Sequence, residues 1–162
     1  MTKILAISDT HAKSLSALPK ALLSEISTAD IVVHCGDYTD ISLLQELKHM
    51  AKRFIGVYGN VDSIDIRREV PAKTTFEIDG VRIGVIHPYW GGASVGIEEA
   101  IAKEFHGVDL VLYGHTHDAG YETRDGITFV NPGQAYADDT AKATAGVVTV
   151  GDKGFEIEIV SF

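Results

Sequence analysis

Residues 110–119 read LVLYGHTHDA: four apolar residues, Leu110 to Tyr113, run through Gly114 straight into His115 and His117. A short apolar run bounded by glycine has the length of a buried strand. If the backbone stays extended beyond it, side chains alternate, so positions 115 and 117 face one way and Thr116 the other. Two imidazoles leaving a buried strand on one side look aimed at a common target. A polar loop that happens to carry two histidines explains this stretch alone equally well.

The pattern recurs along the chain. KILAIS (3–8), DIVVHC (30–35), RFIGVY (53–58), VRIGVI (81–86) and DLVLYG (109–114) all have the length and β-branched content of buried strands. Between them, Leu15, Leu18, Leu22 and Ile26 recur at helical spacing, with Pro19 in a first turn. Leu43, Leu47 and Met50 form a second stripe after a cap at Asp40, and Ile97, Ile101 and Phe105 form a third. Strand–helix alternation of this kind implies an α/β protein. From residue 75 onward, TFEIDGVRIGVI, YETRDGITFV and GVVTVGDKGFEIEIV read as hairpins closed by Asp-Gly or a Gly-bounded tetrapeptide. The expected architecture is a mixed sheet and a second, more antiparallel sheet, packed together with helices outside. No repeat or linker divides the chain, so residues 1–162 are read as one domain.

Composition bounds the function. With 45% hydrophobic and 23% charged residues over 162 positions, the chain can bury a real core. The net charge of −9 argues against nonspecific binding to nucleic acid or anionic membrane, which requires basic surface. A single cysteine, Cys35, excludes an internal disulfide framework. The opening MTKILAIS is too short for a signal-peptide apolar region, and no eighteen consecutive apolar residues occur. A soluble, cytoplasmic protein is expected.

The residues that follow the strands carry the chemistry. Asp9-Thr10-His11 follows the first, Gly36-Asp37 the second, Gly59-Asn60-Val61-Asp62 the third, His87 the fourth and Gly114-His115-Thr116-His117 the fifth. Open α/β sheets bind ligands outside the carboxyl ends of their strands. Asp, His and an Asn carbonyl, without a thiolate cluster, suit Mn, Fe, Zn, Co or Ni. On an extended strand Asp9 and His11 share a face about 6.6 Å apart, which suits chelation. Asp9, His11, Asp37, Asn60, His87, His115 and His117 are too many for one tetrahedral ion. A two-metal site with a bridging carboxylate is the economical reading, and such sites hydrolyse phosphate esters.

DTH, GD, GNVD, H, GHTH and NPG, in this order, resemble the calcineurin-like metallophosphoesterase family, and within it the small bacterial and archaeal phosphodiesterase branch. The likeness runs from residue 4 to about 134. It implies a sandwich of two sheets flanked by helices, an α/β/β/α arrangement. It also implies that Asp9, His11 and His117 hold one ion, that Asn60, His87 and His115 hold the other, and that Asp37 bridges. The implied activity is hydrolysis of a small-molecule phosphoester, a diester before a monoester, by a metal-bound hydroxide. Asp37, Asn60 and His87 then count as catalytic as well, with Asn60 steadying charge on the phosphoryl oxygens. Two divalent ions are expected, manganese first, with nickel, iron, zinc or cobalt as alternatives.

The chain departs from the family pattern at three places. His87 is followed by Pro88-Tyr89 where many relatives have glycine and histidine, NPGQ puts Gln134 where serine is usual, and Val61 replaces a histidine that in larger members aids the leaving group. Tyr89 and Trp90 could cap a substrate base or fill an interface between subunits of a homo-oligomer. Arg67, Arg68 and Lys73 read as a solvated basic cluster rather than a phosphate clamp. Gly92 to Gly96 formally matches a G-x-S-x-G nucleophile elbow, but no strand leads directly into Ser94, which reads better as the start of a helix. The rival from another class is a non-catalytic protein-binding scaffold, since a retromer subunit shares this fold and works through protein contacts. His34 reads as a satisfied core histidine, and His49 and His106 as surface residues.

Overall fold

The computed structural model describes residues 1–162. Ten strands alternate with four helices: β1 (Thr2–Ile7), α1 (Lys20–Thr28), β2 (Ile31–His34), α2 (Ile41–Met50), β3 (Phe54–Gly56), α3 (Ile64–Glu69), β4 (Lys73–Ile78), β5 (Val81–Ile86), α4 (Ile97–Ala102), β6 (Leu110–Tyr113), β7 (Gly120–Arg124), β8 (Ile127–Asn131), β9 (Thr144–Gly151) and β10 (Gly154–Ser161). They form two five-stranded sheets, ordered β10-β9-β1-β2-β3 and β4-β5-β6-β8-β7.

Alternation along the central strands builds three apolar layers. Ile4 and Ala6 of β1 and Val33 of β2 point to the seam between the sheets, where they meet Ile83 and Val85 of β5 and Leu110 and Leu112 of β6. Leu5 and Ile7 point the other way, under Leu22 and Ile26 of α1, Leu43, Leu44 and Leu47 of α2 and Ile66 of α3. Val111 and Tyr113 of β6 pack with Ile97 and Ile101 of α4 on the outer face of the second sheet. A strand covered on both faces must be apolar on both, so the runs read as continuous rather than alternating. No helix is long and apolar enough to cross a membrane.

All five predicted strands form, as do the three hairpins. Asp79-Gly80 and Asp125-Gly126 hold φ of 48° and 81°, and 49° and 81°, the left-handed pair that a tight two-residue hairpin turn requires. Asp40 caps α2 by accepting from Ser42 N at 2.8 Å.

Other expectations are corrected. The second sheet is no more antiparallel than the first: each contains two parallel and two antiparallel pairings. Hairpins mark only neighbouring strands, and the parallel pairing of β6 with β8 leaves no turn signature. Leu15 and Leu18 lie outside α1, Leu15 in a 3₁₀ turn over Leu15–Ala17, because the residue before Pro19 is held extended (Leu18 ψ 155°). Leu44, not the 37% exposed Met50, completes the buried stripe of α2. Phe105 lies beyond the end of α4 though it is still buried. Ser94 does not cap α4, since that position is Gly96 at φ 72°. The basic cluster disperses: Arg68 lies near Asp65, Lys73 binds Glu104, and Arg67 turns to the backbone of the 60–62 loop.

Candidate metal centre

Six parallel strands, β1, β2 and β3 of one sheet and β5, β6 and β8 of the other, end at one place. The seven candidate donors follow five of them and meet across the top of the seam. Asp9 and His87 are fully buried and Asp37 nearly so, while His11 and His117 have about a third of their side chains exposed. The carboxylates and His87 form the floor, and the other imidazoles form the mouth.

The extended-strand argument for these pairs does not hold. β1 stops at Ile7 and β6 at Tyr113, and the donors sit on turns beyond them. Asp9, His11, Asp37, His115 and His117 have φ of 51°, 43°, 60°, 94° and 63°. A left-handed turn, not strand alternation, throws each side chain across the sheet edge.

His115 and His117 consequently reach different neighbours. His117 Nε2 lies 3.2 Å from Asp9 Oδ1, and His11 Nε2 lies 3.9 Å from the same oxygen. His115 Nδ1 lies 3.2 Å from Asn60 Oδ1, which is 2.9 Å from His87 Nε2. Asp37 Oδ2 stands between the groups, 3.8 Å from His11 Nε2 and 3.4 Å from His87 Nε2. Two donor triads close up tightly enough to hold an ion: Asp9, His11 and His117, and Asp9, Asp37 and His87.

Three observations fit this donor set to cations. Asp9 Oδ1 is buried and accepts no hydrogen bond, whereas Oδ2 accepts from Ser8 Oγ at 2.6 Å and His115 N at 3.2 Å. A buried carboxylate oxygen without a partner is costly unless a cation faces it. The far nitrogens of three histidines are anchored: His87 Nδ1 donates to Cys35 O at 2.7 Å, His115 Nε2 to Gly92 O at 3.1 Å, and His117 Nδ1 to Gln134 Oε1 at 3.3 Å. Each anchor leaves the inward nitrogen carrying the lone pair, the usual support of a metal-binding imidazole. Finally, His87 Nε2 and Asn60 Oδ1 are then two lone-pair atoms 2.9 Å apart, an arrangement that needs a proton or a cation.

Charge follows the same geometry. Burial pushes the Asp9 carboxyl up, but His11, His117 and the Ser8 hydroxyl outweigh it and hold the group well below the usual carboxylate range. The Asp9 carboxylate, with Oδ1 3.2 Å from the ring's Nε2, raises His117. Burial opposes protonation of His87, yet Asp37 and Asp9 raise it overall.

Other residues hold the site, and of these Tyr136 escapes sequence reasoning. Asp62, nearly buried, accepts the amides of Asp37 (2.9 Å) and Gly59 (2.7 Å) on one oxygen and of Thr39 (2.9 Å) on the other. Arg67 donates to Asp62 O at 2.9 Å and Asn60 O at 3.1 Å and lies 4.8 Å over the Tyr58 ring. Tyr89 packs edge-on between Tyr58 and Trp90, at 6.3 and 5.1 Å, and Trp90 remains 45% exposed. Tyr136 meets the rings of His11 and His117 edge-on at 5.8 and 6.3 Å. The apolar run before Asn131 is a sixth strand of the series, and it leads into the NPGQ segment already marked in the sequence.

The chain resembles known proteins along nearly its whole length. Residues 2–153 match the calcineurin-like phosphoesterase superfamily domain. The chain is 39% identical over 131 residues to a probable metallophosphoesterase of Methanocaldococcus jannaschii, covering 78% of this chain and 65% of that protein, so the match spans just under two thirds of the relative. It is 29% identical over 170 residues to a phosphodiesterase of the same organism, covering 98% of both. The solution structure of a Thermotoga maritima protein superposes with a TM-score of 0.79 at 28% identity over the whole of both chains.

Proposed function

The chain belongs to the calcineurin-like phosphoesterase superfamily, and from that membership we propose that it is a metal-dependent phosphoesterase, a phosphodiesterase in preference to a phosphomonoesterase. The observation that carries the reading is the unpartnered Asp9 Oδ1, facing imidazoles whose outer nitrogens are already anchored. Asp9, His11 and His117 would hold one divalent ion, and Asn60, His87 and His115 the other. Asp37 would serve both, since its Oδ2 faces His11 and His87 while its Oδ1 accepts Val61 N at 3.1 Å. When bound, such ions supply Lewis acidity and lower the pKa of water from about 15.7 toward neutrality, which provides the hydroxide nucleophile.

The protein's own part is positioning. Asn60 offers its amide at the mouth, where charge collects on the phosphoryl oxygens. Val61 is half exposed beside it and has no proton for the departing oxygen. Asp62 is a poor substitute although burial raises its carboxyl, because both of its oxygens accept backbone amides. Leaving groups that depart readily as anions are therefore favoured. Arg67 is spent on two carbonyls and is not offered to the second negative charge of a monoester. A diester, as in the relative named phosphodiesterase, is the better match.

The test is hydrolysis by protein reconstituted with Mn²⁺, using aryl and alkyl phosphodiesters and an aryl monoester, with Asp37→Asn as control. The aryl diester should be cleaved fastest. Elemental analysis should find close to two ions in the wild type and fewer in the variant, with activity falling in parallel. A wild type that binds metal but cleaves none of the three would instead favour a binding scaffold.

A further inference from the structure

We propose that Gln134 is a positioning residue for the metal position formed by Asp9, His11 and His117, a proposal that rests on the metal-dependent reading above. Gln134 is 7% exposed, and its Nε2 donates to Tyr136 O at 3.1 Å, with Asp138 Oδ2 at 3.5 Å. With the amide nitrogen facing two acceptors, Oε1 must face His117 Nδ1 at 3.3 Å. That ring nitrogen then donates, and Nε2 carries the lone pair toward Asp9.

The glutamine is itself held in place. Its carbonyl accepts Thr144 N at 2.8 Å, and the next amide, Ala135 N, donates to Ser8 O at 3.0 Å. Ser8 in turn donates to Asp9 Oδ2, so one segment steadies two members of the same triad. The contrast with the other imidazoles makes the role specific. His87 and His115 are anchored by the main-chain carbonyls of Cys35 and Gly92, which no change of the anchoring side chain removes. His117 leans on a side chain, so the two metal positions differ in how they are supported.

The experiment is a calorimetric titration of the metal-free full chain with Mn²⁺ alone. The wild type should bind in two steps. Q134M, close to glutamine in volume but lacking an acceptor, should weaken one step by about 10–100-fold and leave the other unchanged. Q134E keeps the acceptor while losing the donor to Tyr136 O, and should restore both steps. Should Q134M fail to fold, Q134L serves as a second acceptor-free variant. Equal affinities in wild type and Q134M would overturn the role of Gln134 alone. Loss of the same step in Q134E would also overturn it, because loop packing rather than the acceptor would then be responsible. A wild type that binds no Mn²⁺ would overturn this proposal together with the metal-dependent reading.

Discussion

Five of the seven candidate donors occupy left-handed backbone, a conformation that costs roughly 1–2 kcal/mol for a residue with a side chain. Asp and His tolerate it better than most, and the surrounding contacts hold it in place. Beneath them His34 shows what a buried imidazole does when it is not a donor to the site. Its Nδ1 accepts Gly36 N at 3.1 Å, its Nε2 donates to Thr10 Oγ1 at 3.1 Å, and its ring stacks on Tyr38 at 3.7 Å. Both nitrogens are satisfied only in the neutral form, and burial pushes the group down to about 3. The unfolded chain takes up this proton near the ordinary histidine value of about 6.5, the folded one only near 3, so stability contributed by His34 is lost as pH falls through that window. Urea unfolding of metal-free protein between about pH 7 and about pH 4 should therefore lose up to about 1.4 kcal/mol per pH unit more in the wild type than in His34→Gln. Equal slopes would mean that His34 is protonated in the folded state.

At the scale of elements, the short helix α3 secures the loop before it. Its Arg67 reaches back to the carbonyls of Asn60 and Asp62, while the Asp62 carboxylate gathers the amides of Asp37, Thr39 and Gly59. The loops after β2 and β3 are thus one hydrogen-bonded unit carrying both Asp37 and Asn60. Arg67→Lys keeps the charge but not the planar fork that serves two carbonyls. Hydrolysis should fall by about 10–100-fold, as for other residues that orient metal-site groups. The stability cost should stay near 1–2 kcal/mol in thermal or urea unfolding. Full activity in this variant would show that the loop holds its shape without α3. α3 buries only Ile66 and leaves Ile64 exposed, so it has no apolar stripe and was hidden in the sequence, and Arg67 was read with Arg68 and Lys73 as solvated charge. The other helices and all the hairpins were legible from apolar period and turn residues, although the ends of α1 and α4 were misplaced.

At the scale of the whole molecule, the candidate centre lies across the seam of the sandwich. Asp9, His11, Asp37 and Asn60 come from the sheet containing β1, and His87, His115 and His117 from the sheet containing β6. An ion held there ties the two sheets together, and in the folded state only. Free metal at 100 times the dissociation constant should stabilise the fold by about 2.7 kcal/mol per site. For a chain of this size each kcal/mol is worth about 2–4 °C in Tm. Adding Mn²⁺ should raise Tm by several degrees, EDTA should reverse the rise, and Asp37→Asn should largely abolish it. An unchanged Tm would argue that the donors do not share ions across the seam.

The residues themselves determined the α/β class, the strand cores and the chemical identity of the donors, because burial period and turn chemistry are local and each strand is followed at once by its polar residues. Folding alone decided which donors meet. Asn60 and His115 are 55 positions apart, and the hydrogen bond from His115 N to Asp9 spans 106. The same holds for the equal mixture of parallel and antiparallel pairings, since β8 lies beside β6 with β7 displaced to the edge, and this leaves no mark in the turns. It holds for Gln134 as well, a residue that the sequence marked only as standing where serine is usual. Its bond to His117 depends on a side chain reaching across two strand ends, a distance that no periodicity in the chain encodes.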